Sequence, residues 1–196
     1  MGPVLVLYYS LHGGTQNLAK KIAQGIQMQG LEAILRTVPK VSTGFDQVQP
    51  KVPASGDPYV SVEDLTRCSA LALGSPTRFG NMSSAMKYFW DSTATQWIAG
   101  DLIGKPACVF TSSSSLHGGQ ESTLLTMMIP LLHHGMVISG IPYSIPELQS
   151  TRTGGSPYGV SHVSYEQQTN LSEDEKALCI AQGIHLANLA KKLGLS

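Results

Sequence analysis

The sequence predicts an α/β fold of three layers, in which a five-stranded parallel sheet of order 2-1-3-4-5 lies between helices. Apolar runs of strand length alternate along the chain with longer segments of helical period. This alternation is typical of parallel strands that are joined by right-handed helical crossovers. With 196 residues, of which 42% are hydrophobic, the chain can bury a sizeable core without disulfides or metal. We therefore expect one domain over residues 1–196.

Five apolar runs account for the predicted strands. The first is apolar at consecutive positions, which is typical of a strand covered by helices on both faces. In the second, Leu31, Ala33 and Leu35 alternate with their neighbours along the chain. The strands are expected at residues 3–9, 31–38, 69–74, 106–111 and 136–141.

The intervening segments have the period of amphipathic helices. In the first, Leu18, Ile22 and Ile26 recur every four residues and predict a buried stripe. In the last, Ser172 and Glu175 have the spacing of a capping box, which marks the start of a helix. The buried stripe of that helix is expected at Ala177, Ile180, Ala181, Ile184 and Ala187. Helices are expected at residues 15–30, 62–67, 82–93 and 121–134, and after Ser172.

Two segments carry neither pattern. Residues 39–61 contain four prolines among polar residues, and residues 142–170 contain prolines and glycines without a sustained period. Both are expected to be long irregular connections.

Charge and composition argue against several kinds of partner. The 13 basic and 13 acidic residues cancel, so no electrostatic footprint for a nucleic-acid backbone is visible. The apolar start of the chain is too short for a membrane span and lacks a basic leader. Cys68, Cys108 and Cys179 are isolated, as expected of reduced and buried thiols. We expect a cytoplasmic protein with no nucleic-acid partner and no membrane span.

Three of the predicted strands end in polar loops that are rich in glycine and hydroxyl groups, at residues 10–15, 75–81 and 112–119. In an open α/β sheet, ligands bind at the carboxyl ends of the strands, where the strand order reverses. The first loop precedes a helix, so its main-chain N–H groups and hydroxyls could hold a phosphate monoester without lysine or arginine. A helix cap with a tight turn explains this loop equally well when the loop is taken alone.

The second loop offers the hydroxyl of Thr77, the guanidinium of Arg78 and the aromatic face of Phe79, which suit a flat, polar, redox-active ring. The chain lacks the Gly-Lys pattern of a nucleoside-triphosphate loop and the Gly-x-Gly-x-x-Gly of a dinucleotide fold. It also lacks the Gly-x-Ser-x-Gly of a hydrolase. The adjacent His133 and His134 point in different directions and make a poor metal pair, so no metal is expected.

The sequence resembles the WrbA family of flavodoxin-like NAD(P)H:quinone oxidoreductases. The resemblance is carried by Pro-Thr-Arg-Phe-Gly-Asn-Met at residues 76–82, Gly-Gly-Gln-Glu at 118–121 and His-His-Gly-Met-Val at 133–137, and it covers essentially the whole chain. It implies non-covalent FMN, a homotetramer, NADH or NADPH as electron donor, and two-electron reduction of quinones to hydroquinones.

The resemblance also implies the site residues. The FMN phosphate would be bound by Ser10, Leu11, His12, Gly13, Gly14 and Thr15. The flavin ring would be bordered by Pro76, Thr77, Arg78, Phe79, Gly80, Asn81, Ser112, Ser113, Ser114, Ser115 and Gly118. His133 corresponds to a flavin-contacting histidine, in the same chain or from a neighbouring subunit. Trp97 and His12 would border the substrate, although interface packing explains Trp97 equally well.

The expected reaction is a ping-pong cycle in which NAD(P)H reduces the flavin, leaves, and is replaced by a quinone. None of the three loops contains Asp or Glu, and Arg78 adds a cation, so a reduced, anionic flavin is favoured over one-electron traffic. The alternatives are a one-electron flavodoxin-type carrier, a non-catalytic flavin-binding regulatory module, and a reductase of azo or nitro compounds.

Overall fold

A computed structural model describes residues 1–42, 53–165 and 168–194. Within those residues, strands of a parallel sheet alternate with helices, as the sequence predicts. The elements in chain order are β1 (Val4–Tyr8), α1 (Gly14–Met28), β2 (Ala33–Thr37), α2 (Val62–Arg67), β3 (Ala70–Pro76), α3 (Ser84–Asp91), α4 (Ala94–Ala99), β4 (Pro106–Ser113), α5 (Gln120–His133), β5 (Val137–Ile138), α6 (Glu147–Ser150), β6 (Val160–Val163) and α7 (Glu173–Leu193). Residues 43–52, in the middle of the predicted irregular connection 39–61, lie outside the described residues.

The sheet has the order β2-β1-β3-β4-β5, and all of its pairings are parallel. The predicted order 2-1-3-4-5 is therefore confirmed. A strand that was not predicted, β6, also pairs with β4. The first half of β4 pairs with β5, through Pro106 and Ala107, and its second half pairs with β6, from Phe110 to Ser113.

The fifth strand, predicted at 136–141, is shorter in the structure, where β5 covers only Val137–Ile138. The segment 142–170, predicted to be irregular, contains α6 and β6. After β5 the chain leaves the sheet, and it returns beside β4 as β6. The segment just after β5 lies against the segment just before β6, since the N–H of Ile141 donates to the carbonyl of Pro157 at 2.9 Å. A Cβ atom at Gly140 would lie 2.2 Å from that carbonyl oxygen, so the close approach requires glycine.

Strands β3 and β4 run further than the sequence predicts, to Pro76 and Ser113. Consequently Pro76, Ser112 and Ser113, which were predicted as loop residues, are the last residues of strands. Their main chains are paired across the sheet, with Pro76 opposite Ser112. The polar ends of these strands are thus held rigidly by the sheet.

Helices cover both faces of the sheet, which gives the predicted three layers. Along β1 the side chains alternate, with Val4 and Val6 in the core beneath α1 and α7, and Leu5 and Leu7 in the core beneath α2, α3 and α5. All five residues of β1 are buried, as the run of apolar residues predicts. The predicted α1 stripe of Leu18, Ile22 and Ile26 is also fully buried.

Helices α1 and α7 pack backbone against backbone through two glycines. A Cβ atom at Gly25 would lie 2.2 Å from the carbonyl oxygen of Ile180, and one at Gly183 would lie 2.2 Å from that of Ile22. Neither position tolerates a side chain without a shift of the helices. This contact fixes α1 against the sheet and so fixes the loop that precedes it.

The capping box of Ser172 and Glu175 is confirmed, but the predicted stripe of α7 was wrong. The predicted residues Ala177, Ile180, Ala181 and Ile184 are half-buried, and only Ala187 of the set is fully buried. The residues that α7 buries are Glu175, Leu178, Cys179, Gln182, Gly183, Leu186, Ala187 and Ala190. Gln182 bridges the sheet, since its amide accepts from Val160 N and donates to the carbonyl of Val109, both at 2.9 Å. Periodicity of apolar residues cannot reveal such buried polar partners.

The three cysteines are free and buried, as predicted. Burial raises the pKa of Cys68 to about 11 and that of Cys108 to about 12, so both stay protonated near neutral pH. In the part of the chain that the structure describes, no helix is both long and apolar enough to cross a membrane.

Candidate functional site

A cleft of about 380 Å³ lies at the carboxyl ends of β1, β3, β4 and β6. It is lined by Ser10, Leu11, His12, Gly14, Thr15, Pro76, Thr77, Arg78, Ser112, Ser113, Ser114 and Ser164. All three predicted loops contribute to it, because β1, β3 and β4 are neighbours in the sheet. Its size lies within the range of small-molecule pockets.

The loop before α1 leaves the N-terminus of that helix open. Gly13 is the N-cap residue, with a φ of 98° that favours glycine, and it provides no side-chain cap. The first turn of α1 contains no acidic residue. Within the loop, the Ser10 hydroxyl accepts from Gly13 N at 3.1 Å, which holds the chain in a tight turn. Uncapped N–H groups and the helix dipole make this end of α1 suited to an anion.

Hydrogen bonds join the three loops to one another. The hydroxyls of Thr15 and Ser112 lie 2.8 Å apart, which connects the α1 loop to the end of β4. The N–H of Thr77 donates to the carbonyl of Ser112 at 2.8 Å, and the Thr123 hydroxyl donates to that of Thr77 at 2.7 Å. The walls of the cleft are therefore preformed in a single chain.

The segment after β3 forms a narrow turn. The main chains of Arg78 and Asn81 exchange two hydrogen bonds, at 2.7 and 3.0 Å. Between them Phe79 adopts a φ of 53°, which is uncommon for a residue with a side chain, and its ring is fully exposed. Backbone strain of this kind clusters at binding sites. Gly80 occupies the other left-handed position of the turn.

Arg78 is exposed and lies at the rim of the cleft. One of its guanidinium nitrogens donates to the carbonyl of Thr77 at 2.9 Å, and among the described residues no carboxylate pairs with it. Its charge acts on Tyr9 at the end of β1. Burial raises the pKa of Tyr9, and Arg78 partly offsets that rise. The cation is thus available to a ligand in the cleft.

The segment after β4 is held by Gln120, the first residue of α5. Its amide nitrogen donates to the carbonyls of Ser115 and Leu116, at 2.9 and 2.6 Å. Gly118 N also donates to the Ser115 carbonyl, at 3.1 Å. Of the predicted residues, Gly13, Phe79, Gly80, Asn81, Ser115 and Gly118 lie in the three loops but do not line the cleft.

Sequence reasoning missed two residues near the cleft, one in β6 and one just after it. Ser164 lines the cleft directly, and its N–H donates to the carbonyl of Ser113 at 2.8 Å. His162 lies behind the α1 loop, in register with Ser112. Val160 and Val163 are the only β-branched apolar residues of Val160-Ser161-His162-Val163 and they do not alternate, so these four residues in a glycine- and proline-rich segment give too weak a signal to identify a strand.

The chain is similar to known proteins over most of its length. The family model described as NADPH-dependent FMN reductase matches residues 3–148, about three quarters of the chain. The chain belongs to this family. It is 43% identical to an NAD(P)H dehydrogenase (quinone) of Geobacter sulfurreducens, over 97% of this chain and 98% of that protein. It is 41% identical to another protein of that name from Chromohalobacter salexigens, over 98% of this chain and 99% of that protein.

Solved structures confirm the flavodoxin-like fold. The crystal structure of a flavodoxin, WrbA-like protein from Agrobacterium tumefaciens matches with a TM-score of 0.66. The match covers 98% of this chain and 99% of that one, at 22% identity. A flavodoxin from the domain Archaea matches with a TM-score of 0.64, 20% identity, and coverage of 96% and 99%. The predicted resemblance to the WrbA family is confirmed.

Trp97 and His133, the other two residues that were predicted to contact substrate or flavin, lie outside the cleft. They line an open depression of about 430 Å³ between α3, α4 and α5, which we name the Trp97 depression. It is formed by Lys87, Trp90, Asp91, Thr93, Ala94, Trp97, Ile129, Pro130, His133 and His134. The indole N–H of Trp97 donates to the carbonyl of His133 at 2.8 Å. Among its lining residues, the side chains of Trp97 and Ile129 are exposed apolar groups.

The two adjacent histidines of the depression differ, since His133 is exposed and His134 is buried. Nε2 of His134 lies 3.0 Å from the Thr93 hydroxyl, and its ring contacts Trp90 edge to face. Burial, followed by the neighbouring His133, lowers the pKa of His134, so it is neutral and structural near pH 7. Within the described part of the chain, no group of three or more His, Cys, Asp or Glu residues could hold a metal ion.

Proposed function

We propose that this protein is an FMN-dependent NAD(P)H:quinone oxidoreductase that reduces quinones to hydroquinones by two electrons in a ping-pong cycle. The observation that carries this proposal is the cleft at the strand ends, where an uncapped helix N-terminus faces the same space as Thr77 and Arg78. Family membership and the names of the relatives support the reaction class.

The residues present fit a phosphate monoester at the start of α1. Main-chain N–H groups of residues 11, 12, 14 and 15 and the hydroxyls of Ser10 and Thr15 supply donors, and no carboxylate lies in the loop. A Cβ atom at Gly14 would lie 3.0 Å from the Ser164 hydroxyl and 3.2 Å from Cδ2 of His162, so a side chain there would reduce the space for a phosphate at the start of α1. A lysine is not needed, because the helix dipole and N–H groups favour the anion.

The residues at the ends of β3 and β4 fit the flavin ring. Pro76, Thr77 and the serines of residues 112–114 form rigid walls, and Arg78 offers a cation at the rim. When bound, FMN supplies the hydride chemistry, and the protein binds, orients and tunes it. The guanidinium of Arg78, which no carboxylate of the described residues pairs with, stabilises negative charge in the cleft by roughly 1–3 kcal/mol. This favours two-electron reduction over a one-electron carrier.

The substrates are proposed to enter the same cleft in turn. His12 is exposed at its edge, and Phe79 presents its ring to solvent at the neighbouring turn.

We further propose a homotetramer in which a second copy covers the Trp97 depression and brings Trp97 and His133 towards a flavin. The exposed apolar side chains of the depression support this arrangement. The unpaired, buried cysteines fit a cytoplasmic protein, which we propose to be a single domain.

The test is an anaerobic titration of the FMN-loaded protein with NADH and, separately, with NADPH, followed by addition of benzoquinone. The oxidised flavin absorbance should disappear without a one-electron intermediate and return when the quinone is added. A protein that stays colourless after FMN is supplied would instead be a regulatory module. Flavin that is reduced but reoxidised only by azo or nitro compounds would contradict the quinone substrate.

A further inference from the structure

His162 lies immediately behind the loop that precedes α1, although it does not line the cleft. It is 3% exposed and stands in register with Ser112 on the neighbouring strand β4. A Cβ atom at Gly14 would lie 3.2 Å from Cδ2 of its ring. The ring is therefore packed against the backbone of the first residue of α1, where the N–H groups for a phosphate begin.

Both ring nitrogens of His162 have partners that accept hydrogen bonds. Nδ1 lies 3.0 Å from Oε2 of Glu175, and Nε2 lies 3.2 Å from the carbonyl oxygen of Gln168. A carbonyl accepts, and so does an ionised carboxylate; with Glu175 ionised, both ring nitrogens carry protons and the ring is an imidazolium. Burial alone lowers the pKa of His162, but the hydrogen bond and charge of Glu175, together with the Gln168 carbonyl, outweigh burial and raise it.

Glu175 contacts the Nδ1 side of the ring, whereas the ring atom that a Cβ at Gly14 would meet is Cδ2. Glu175 is the third residue of α7, and its Oε2 also accepts from Ser172 N at 2.8 Å in the capping box. A carboxylate in the first turn of a helix is stabilised by the helix dipole. Oε2 of Glu175 is thus held by the start of α7 as well as by His162, while Oε1 is buried without a hydrogen-bond partner among the described residues. Of the two side chains, only His162 is among the nearest neighbours of a Cβ at Gly14.

We propose that the buried imidazolium of His162 is the cation of the phosphate loop, and that it makes the cleft select a flavin with a phosphate monoester over a neutral flavin. The inference rests on the proposed function, which places that phosphate at the start of α1. Residues 10–15 contain no lysine or arginine, and Arg78 lies at the rim beside the flavin walls. His162 acts on the phosphate through its charge across the main chain of Gly14, and so it is a specificity residue, not a catalytic one.

The first test compares the affinities of the apoprotein for FMN and riboflavin by quenching of flavin fluorescence. We expect His162→Gln to weaken FMN binding about tenfold near pH 7, the effect of one nearby unit charge, and to leave riboflavin binding unchanged. His185→Gln, on the distant part of α7, is the matched control and should change neither affinity.

The second test is the pH dependence of the FMN-to-riboflavin affinity ratio. The charge of His162 is lost as pH rises through its raised pKa, so the ratio in the wild type should fall there. The ratio in His162→Gln should lack that step. Among the described residues, Glu175 is the ionisable group that acts on His162. His12 lines the cleft but is present in both proteins, so the difference between the two profiles isolates His162.

A third measurement does not depend on whether the variants fold. Nitrogen NMR of the wild-type apoprotein near neutral pH should show two protonated ring nitrogens on His162, and a neutral tautomer would overturn the inference. Equal losses of FMN and riboflavin affinity in His162→Gln would also overturn it, because they would assign His162 a scaffolding role only. A wild type that binds neither flavin would overturn the proposed function itself.

Discussion

The cleft and the Trp97 depression are both concave, but they are built from different parts of the fold. The cleft is formed by strand ends and loops that hydrogen-bond to one another, and it is lined mainly by hydroxyls and main chain. The depression is formed by side chains of three helices, and its aromatic and aliphatic groups remain exposed. A single chain therefore completes the cleft, whereas the depression has the character of a surface that another molecule covers.

The buried histidines of the two regions show the same difference. His162 behind the cleft has two accepting partners and a raised pKa. His134 in the depression bonds Thr93 through one nitrogen, while its Nδ1 is buried without a partner among the described residues, and its pKa is lowered. The buried histidine behind the cleft thus favours its charged form beside a carboxylate, whereas the buried histidine of the depression favours its neutral form. This contrast suits an anionic ligand in the first region and apolar contact in the second.

The largest expected effect comes from closing the cleft at Gly14. Gly14→Val would place a branched side chain against Ser164 and His162, and we expect FMN affinity to fall about 100-fold, equivalent to about 3 kcal/mol of overpacking. Equilibrium dialysis with FMN measures the loss, and circular dichroism checks the fold. Gly30→Val is the control for an added side chain: Gly30 lies two residues after the end of α1, a Cβ there meets nothing within 4 Å, and its φ of 73° strains the fold without touching the cleft, so FMN affinity should not change. Full FMN occupancy in Gly14→Val would contradict the assigned loop.

The second largest effect is expected where α7 packs against α1, the helix that follows the first loop of the cleft. Gly183→Ala would force α7 away from the carbonyl oxygen of Ile22 on α1, so we expect the free energy of unfolding to fall by about 1–3 kcal/mol. Urea denaturation measures it. Ala181→Ser, at a half-buried position on the same helix, is the control and should change it by less than about 0.5 kcal/mol. An unchanged stability in Gly183→Ala would show that α1 and α7 are not packed closely.

A smaller effect is expected at the rim of the cleft. Arg78→Ala removes an exposed cation without a carboxylate partner among the described residues, so folding should be unaffected. FMN affinity or turnover should fall about tenfold, as for the loss of one charged contact. Arg152→Ala, another exposed arginine outside the cleft, should change neither. Unchanged affinity and turnover at limiting FMN would remove Arg78 from the site.

The smallest effect is a pH dependence that distinguishes the two buried histidines. The lowered pKa of His134 gives stability that is present above about pH 6.5, the unfolded value, and lost as pH falls through the folded pKa. The raised pKa of His162 gives stability that is present below that value and lost as pH rises through its folded pKa.

We therefore expect the stability difference between the wild type and His134→Gln to shrink on acidification, by less than about 1 kcal/mol. For His162→Gln the difference should shrink as pH rises. Urea denaturation over a pH series measures both. Slopes of the same sign in the two variants would contradict the contrast between the regions.

The sheet order could be predicted from the sequence, because buried parallel strands leave uninterrupted apolar runs. The meeting of the three loops could be predicted as well, because that order makes β1, β3 and β4 neighbours, with their carboxyl ends at one edge of the sheet. The strand β6 could not, because four residues within a segment rich in glycine and proline carry too little periodicity. His162 and Ser164 were missed for that reason. The position of Trp97 and His133 away from the cleft depends on how α4 packs, and local sequence does not determine it.

The central claim is that the start of α1 binds the phosphate of FMN through main-chain N–H groups. A crystal structure of the FMN-loaded protein tests it most directly. The account predicts phosphate oxygens within about 3 Å of main-chain nitrogens of residues 11, 12, 14 and 15, with the flavin ring between the ends of β3 and β4. A phosphate held by side chains elsewhere, with the α1 loop free of ligand, would contradict it.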